Sequence, residues 1–234
     1  ELPYAKVPFR VDGHSAILDE LPVSAMARVV LVSGIQTDTD ILRGEETHVV
    51  GILGQRFAEG RGGDCIVVLP GTHSKHLFIT NGAVHDFRTY MTGELYSIIR
   101  QHSILRSSLT DLGVARVKQQ QDWPAFIEGA TLGAERRLSA SLFRVRTNDL
   151  LQGLPPEANS SFLSGVLFGN EFAGLRDEFP NDLPVMICGG QFADAYQMLF
   201  SFLAPEIELE VISQEDTDQA LVRGHATLLE YVGG

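Results

Sequence analysis

Residues 65–94, CIVVLPGTHSKHLFITNGAVHDFRTYMTGE, constrain this chain more than any other stretch. Residues 66–69 form a short apolar run rich in β-branched side chains, the mark of a buried strand, and Pro70 and Gly71 stop it. Thr72, His73, Ser74 and Lys75 follow at once. Two hydroxyls, an imidazole and a cation therefore sit on a turn where a glycine lets the backbone come close to a ligand. A second strand, 76–79, runs into Asn81-Gly82, the strongest short hairpin signal, and a third strand follows over 83–89 with a helix from Glu94 behind it. Backbone N–H groups, hydroxyls and a lysine on one loop suit the oxygens of an anion such as phosphate. The same residues also fit a plain meander in which Gly71 and Thr72 only make a turn, because no full P-loop pattern is present.

The 234 residues, 44% hydrophobic and 21% charged, are enough for one large domain with a proper core. A net charge of -12 with 18 Lys and Arg argues against a nucleic-acid partner, whose phosphates demand clustered cations. Attraction for a small anion must then be local, and Arg43, Lys75 and Arg88 near the central loop are the candidates. Cys65 and Cys188 lie in apolar runs, so buried free thiols and a cytoplasmic setting are expected, with no metal site. No apolar run is long enough to cross a bilayer, and the start ELPYAKVPF resembles no secretion signal, so no membrane partner is expected. The oligomeric state stays open, a homodimer included.

Around the central unit, residues 1–27 read as irregular structure with short extended pieces, and 28–33 (RVVLVS) as a buried strand. From Glu46 the spacing of Val49, Val50, Leu53 and Phe57 predicts a helix with Glu45 and Glu46 in its first turn. Those carboxylates either only favour the helix start or place one general base at the edge of a cleft. Thr92 is expected to cap a helix with Leu95, Ile98, Ile99, His102 and Leu105 along one face, and a further helix to run from Asp122 to Leu138. Ser160 or Ser161 is expected to cap the next, where Gly165, Gly169 and Ala173 recur every four positions and let another backbone pack closely. A strand over 185–188, the pair Gly189-Gly190 and a helix from Gln191 offer bare backbone to a flat ring or a phosphate. A last strand, 207–212, and a last helix, 215–231, complete an alternating order that implies α/β layers.

The series LRGEETHVVG, LPGTHSKH, NGAVHDFRTYMTGEL and QHSIL resembles the 2-dehydro-3-deoxygalactonokinase family, sugar-acid kinases of the actin-like, hexokinase-like ATPase superfold. The resemblance implies an α/β, actin-like ATPase (ribonuclease H-like) fold with the second lobe complete and the first truncated. Residues 1–41 would be the remnant of the N-terminal lobe and 42–234 the C-terminal lobe. It implies that Gly71 and Thr72 grip phosphate, that Gly189, Gly190 and Gln191 hold adenosine, and that Gly44-Glu45-Glu46-Thr47 is the catalytic corner, with Glu45 or Glu46 as base. Lys75 would serve either anion, Arg43 or Arg88 the substrate carboxylate, and His73 its hydroxyls. ATP and Mg2+ are the implied cofactors, and 2-dehydro-3-deoxy-D-galactonate, an intermediate of galactonate catabolism, the substrate. The Asp-x-Gly-x-Thr loop of the superfold does not occur, so an N-terminal part of the first lobe is expected to be missing and this chain alone to be inactive. The alternative is a non-catalytic sugar-acid or nucleotide binding module on the same superfold, which needs no carboxylate base.

Overall fold

Side-chain alternation on three neighbouring strands sets the two faces of the central sheet. The computed structural model describes residues 2–24, 27–110, 123–135, 137–180, 182–190 and 192–232. The chain opens with β1 (Ala5–Lys6), β2 (Phe9–Arg10), the ribbon β3 (Leu18–Ser24) and β4 (Ala27–Val32), then β5 (Ile35–Gln36), β6 (Ile41–Leu42) and helix α1 (Glu45–Ala58). Strands β7 (Cys65–Leu69), β8 (Ser74–Thr80) and β9 (Ala83–Tyr90) lead to α2 (Thr92–His102) and a 3-10 turn over Ile104–Ser108. Helices α3 (Trp123–Ala134), α4 (Leu138–Thr147) and α5 (Pro156–Glu178) follow, with a π turn over Asn148–Gln152 between the last two. Then come β10 (Val185–Cys188), α6 (Ala193–Leu203), β11 (Leu209–Ile212) and α7 (Gln214–Leu229).

Six strands pair in the order β11-β10-β7-β8-β9-β2. Strands β11, β10 and β7 run parallel, each reached through helices, while β7, β8, β9 and β2 are antiparallel. Asn81 (φ 49) and Gly82 (φ 72) make the hairpin between β8 and β9, both in the left-handed region that such a turn requires. Because successive side chains point to opposite faces, Val67 and Leu69 pack with Val49, Val50, Leu53 and Ala220 under α1 and α7. Ile66 and Val68 pack with Phe126, Phe168, Phe172 and Leu199 under α3, α5 and α6. Phe9, Val11 and Ile35 join the first of these clusters, so residues 1–41 supply a strand and buried side chains to the same core.

Two helix seams depend on glycine. On α3 and α5, a methyl group at Gly129, Gly133, Gly165 or Gly169 would strike backbone of the facing helix, so the four-residue recurrence marks a close crossing as expected. On α1 and α7, Gly51 faces Ala220 and Gly224 faces Thr47 in the same way.

Several expectations are corrected. The strand over 28–33 exists, but among the described residues β4 pairs only with β3, and Val29 and Leu31 are 41% and 36% exposed, because no layer of described residues covers that ribbon. Thr92 does not cap α2; it is buried and donates its hydroxyl to Glu171, while Leu95, Ile98 and His102 face outward and Tyr96 inward. The helix expected to start at Ser160 or Ser161 starts at Pro156, with both serines buried within it. The helix expected to reach Leu138 ends at Ala134, and its first residue, Asp122, lies outside the described residues. The last strand begins at Leu209 instead of Ile207.

Candidate active site

The carboxyl ends of the parallel strands β7 and β10 open side by side, the place where α/β sheets bind ligands. After β7 the chain loops over residues 70–73 before β8; after β10 it turns at Gly189 and Gly190. The amino ends of α1 and α7 close the other side. Together they line a cleft of about 410 Å³ that holds Glu45, Gly71, Thr72, His73, Lys75, Gly189 and Gly190.

Glu45 enters the cleft because Gly44, at φ 103, adopts a conformation that L side chains rarely take and turns the chain into α1. Its Oε2 accepts from the Arg43 N–H at 3.1 Å, and its Oε1 lies 3.3 Å from Lys75 Nζ. Lys75, opposite Leu69 across the hairpin, is 5% exposed and also donates to the His73 carbonyl at 3.1 Å. Glu46 goes elsewhere. It is 1% exposed and accepts from Gly44 N–H at 2.7 Å and from Thr47 Oγ1 at 3.2 Å. Burial pushes its carboxyl up to about 7, against the opposing pull of those hydrogen bonds. That value would suit a general base, but reach to the reacting group comes first, and Glu46 does not line the cleft.

The loop over 70–73 is braced from behind. A methyl group at Gly93 would sit 2.9 Å from Thr72 Cα, and Glu94 N–H donates to the Thr72 carbonyl at 3.1 Å, so the start of α2 presses directly on the loop. His73 pairs with Glu94. On the other wall Gly190 needs its φ of 110, and Gly189 lies where a methyl group would be 2.8 Å from both Gln214 Cα and Thr217 Oγ1. Gln191 lies outside the described residues.

The two arginines do not line this cleft. Arg43 lies over the Tyr4 ring at 4.6 Å and donates to the Leu2 carbonyl at 3.2 Å. Arg88 pairs with Asp86 at 2.6 Å and with Glu178, beside a separate pocket of about 370 Å³ that Lys6, Asp38 and His85 share. The cleft also holds residues that were not anticipated, His48 of α1 and Gln214, Thr217 and Asp218 of α7. Their signal was present: Ser213, directly after the last apolar strand, accepts from Asp216 N–H at 3.0 Å and caps α7 at the cleft rim. Among the described residues no group of three or more His, Cys, Asp or Glu stands together as a metal site, and no helix is long and apolar enough to cross a membrane. Both cysteines are free and buried, and burial raises their thiols to about 11 for Cys65 and about 12 for Cys188.

A mixed sheet with helices on both faces, and a cleft at its carboxyl edge lined by a carboxylate, a buried lysine and two glycine turns, define an α/β protein with a polar cleft at the place where such sheets bind ligands. The sequence model of the 2-keto-3-deoxy-galactonokinase family matches residues 1–227, and the chain belongs to that family. It is 31% identical over 215 residues to the 2-dehydro-3-deoxygalactonokinase of Escherichia coli K12, covering 88% of this chain and 66% of that protein. A Rhizobium meliloti (strain 1021) protein provisionally given the same kinase name is 34% identical over 137 residues, which are 58% of this chain and 42% of its own length. The chain thus spans less than two thirds of either relative's length. A crystal structure of a Sinorhizobium meliloti protein, likewise provisionally named, superposes with a TM-score of 0.78 at 27% identity over 99% of this chain and 75% of that one.

Proposed function

We propose that the protein is an ATP-dependent sugar-acid kinase, which transfers the γ-phosphoryl group of ATP to the terminal hydroxyl of 2-dehydro-3-deoxy-D-galactonate in galactonate catabolism. The observation that carries this reading is the single cleft shared by Glu45, Thr72, Lys75 and the Gly189-Gly190 turn, in a chain of that family. A three-strand meander continued by two parallel strands supports the actin-like ATPase (ribonuclease H-like) fold. Buried free thiols support a cytoplasmic setting.

In this mechanism Glu45 accepts the proton of the substrate hydroxyl as its oxygen attacks the γ-phosphorus, and the bond from that phosphorus to the β-phosphate oxygen breaks to release ADP. Phosphoryl transfer leaves the protein mainly positioning and charge neutralisation. Thr72 and the N–H groups of the loop donate to phosphate oxygens, and Lys75, 3.3 Å from Glu45, stands between the base and that loop. Gly189 and Gly190 give adenosine bare backbone to lie against, with Gln191 next to them in the chain. His73 meets substrate hydroxyls, and Lys75, a cation that does line the cleft, serves the substrate carboxylate or the phosphates. The cleft's hard oxygen donors fit Mg2+, which binds through one or two carboxylates plus phosphates and would neutralise phosphate charge; Asp218 would hold it.

An assay of ADP release by the full-length protein across a panel of keto-deoxy sugar acids tests this. Turnover is expected with the galactonate derivative, and Glu45→Gln should lower kcat by roughly 10²- to 10⁴-fold while ATP binding persists. Near-normal turnover in that variant would remove Glu45 as the base. Binding of sugar acid or nucleotide without ADP release in the unaltered protein would favour a non-catalytic module instead.

A further inference from the structure

We propose that Glu171, which lies outside the cleft, is a positioning residue that ties the phosphate loop and the nucleotide turn together from beneath. It sits in the C-terminal half of α5, 1% exposed, and four side chains from three other elements donate to it. Ser74 Oγ (2.8 Å), His76 Nε2 (2.6 Å) and Tyr196 OH reach its Oε1, and Thr92 Oγ1 reaches its Oε2. The Ser74 and Tyr196 hydroxyl oxygens lie 2.7 Å apart beside it.

Each donor is next to a part of the site. Ser74 and His76 flank Lys75, and strand alternation sends Lys75 into the cleft while its two neighbours point to the opposite face. Thr92 precedes Gly93, which presses on Thr72. Tyr196 lies in the first turn of α6, the helix that follows Gly190. One carboxylate therefore fixes the root of the hairpin, the brace behind its loop and the helix after the adenosine turn.

A buried carboxylate is an expensive way to fill a core, since desolvation costs several kcal/mol unless every lone pair is satisfied. Aromatic packing surrounds it, with the Phe168 and Tyr196 rings 4.9 Å apart. Burial pushes the Glu171 carboxyl up, but the charge and hydrogen bond of His76 and the hydroxyls of Thr92 and Tyr196 outweigh it and leave a net lowering. An amide could not replace it, because its single oxygen cannot accept from four donors on two sides.

The inference rests on the kinase reading of the cleft, and its test separates the two. In the full-length protein, well below its melting temperature, Glu171→Gln is expected to lower kcat/KM for ATP by about tenfold to a hundredfold, with KM for the sugar acid moving far less. Tyr196→Phe and Ser74→Ala should each lower ATP affinity by about threefold to tenfold, and the double variant by less than the product of the two. A fall in melting temperature with kinetic constants and ATP affinity unchanged would make the network purely structural and overturn the inference. Calorimetric ATP binding reads the same variants without turnover. An unaltered protein that binds ATP, loses affinity on Glu171→Gln and phosphorylates no sugar acid would keep the positioning role and refute the kinase reading. If Glu171→Gln does not fold, Tyr196→Phe and Ser74→Ala decide by the same criteria, and strict multiplicativity of their effects would overturn the inference.

Discussion

The α3–α5 seam and the cleft both use glycine, for opposite ends. At the seam the missing side chain is replaced by protein: a methyl group at Gly169 or Gly165 would strike the backbone of Ala130 or Phe126 on the facing helix. At Gly71 and Gly190 of the cleft the space stays open, with nothing nearer than 3.7 Å to a methyl group at the first and 3.8 Å at the second, while Gly189 between strand and turn is packed against Gln214 and Thr217. The first arrangement brings two backbones together and stiffens the layer beneath the sheet. The second exposes backbone where a ligand could take its place. Residue type alone does not separate a packing glycine from a binding glycine; the occupancy of the space beside it does.

Gly169→Val is the harshest way to test the first half of that contrast. The obstruction is the Ala130 backbone, which no rotamer change relieves, so the helices must part and loosen Phe126 and Phe168. A loss of about 4 kcal/mol or more is expected in urea denaturation, up to failure to fold. Unchanged stability would mean that the seam is not the close crossing described.

The first turn of α1 adds a finer test, because one of its two adjacent carboxylates is buried and the other lines the cleft. Glu46 has a folded value near 7, above the ordinary 4.5, chiefly from burial. Between those values the folded chain keeps a proton that the unfolded chain has released, so stability falls as pH rises through that window and is level above it. The total is up to about 3 kcal/mol. Gln keeps an acceptor for Gly44 N–H and has no proton to lose. Glu46→Gln should therefore match the original near pH 4.5 and exceed it most at pH 8, in melting temperature or urea midpoint. Parallel pH profiles would show that Glu46 is not held as a buried acid, and its contrast with Glu45 would collapse.

What was legible in the sequence was local. Alternating apolar residues, Asn81-Gly82, the start of α1 and the strand before Gly189 announce themselves within a few residues, and so do Gly165 and Gly169 at helical spacing. Burial was harder, since RVVLVS reads the same whether a layer covers it or, as on β4 among the described residues, none does. Thr92 looked like a cap because its partner, Glu171, is 79 residues away. Glu45 and Glu46 differ by about 100° around one helix. Which of them is buried and which lines the cleft depends on distant packing that no local window contains.

Gly71→Ala carries the smallest expected change in stability and the sharpest contrast. Gly71 is not among the residues with left-handed φ, and 3.7 Å to the His73 carbonyl is ordinary contact, so alanine fits the folded loop. By restricting the unfolded chain it should leave the protein as stable or raise stability by about 0.4–1 kcal/mol. The added methyl group nevertheless occupies the cleft in front of the backbone that would receive phosphate. ATP affinity should then fall by roughly tenfold, the scale of one misplaced methyl group in a binding pocket. The two measurements are thus expected to move in opposite directions, which packing damage does not produce. If alanine instead destabilises the protein and leaves ATP binding intact, Gly71 serves only the turn of a meander, and the open space beside it is no guide to where a ligand sits.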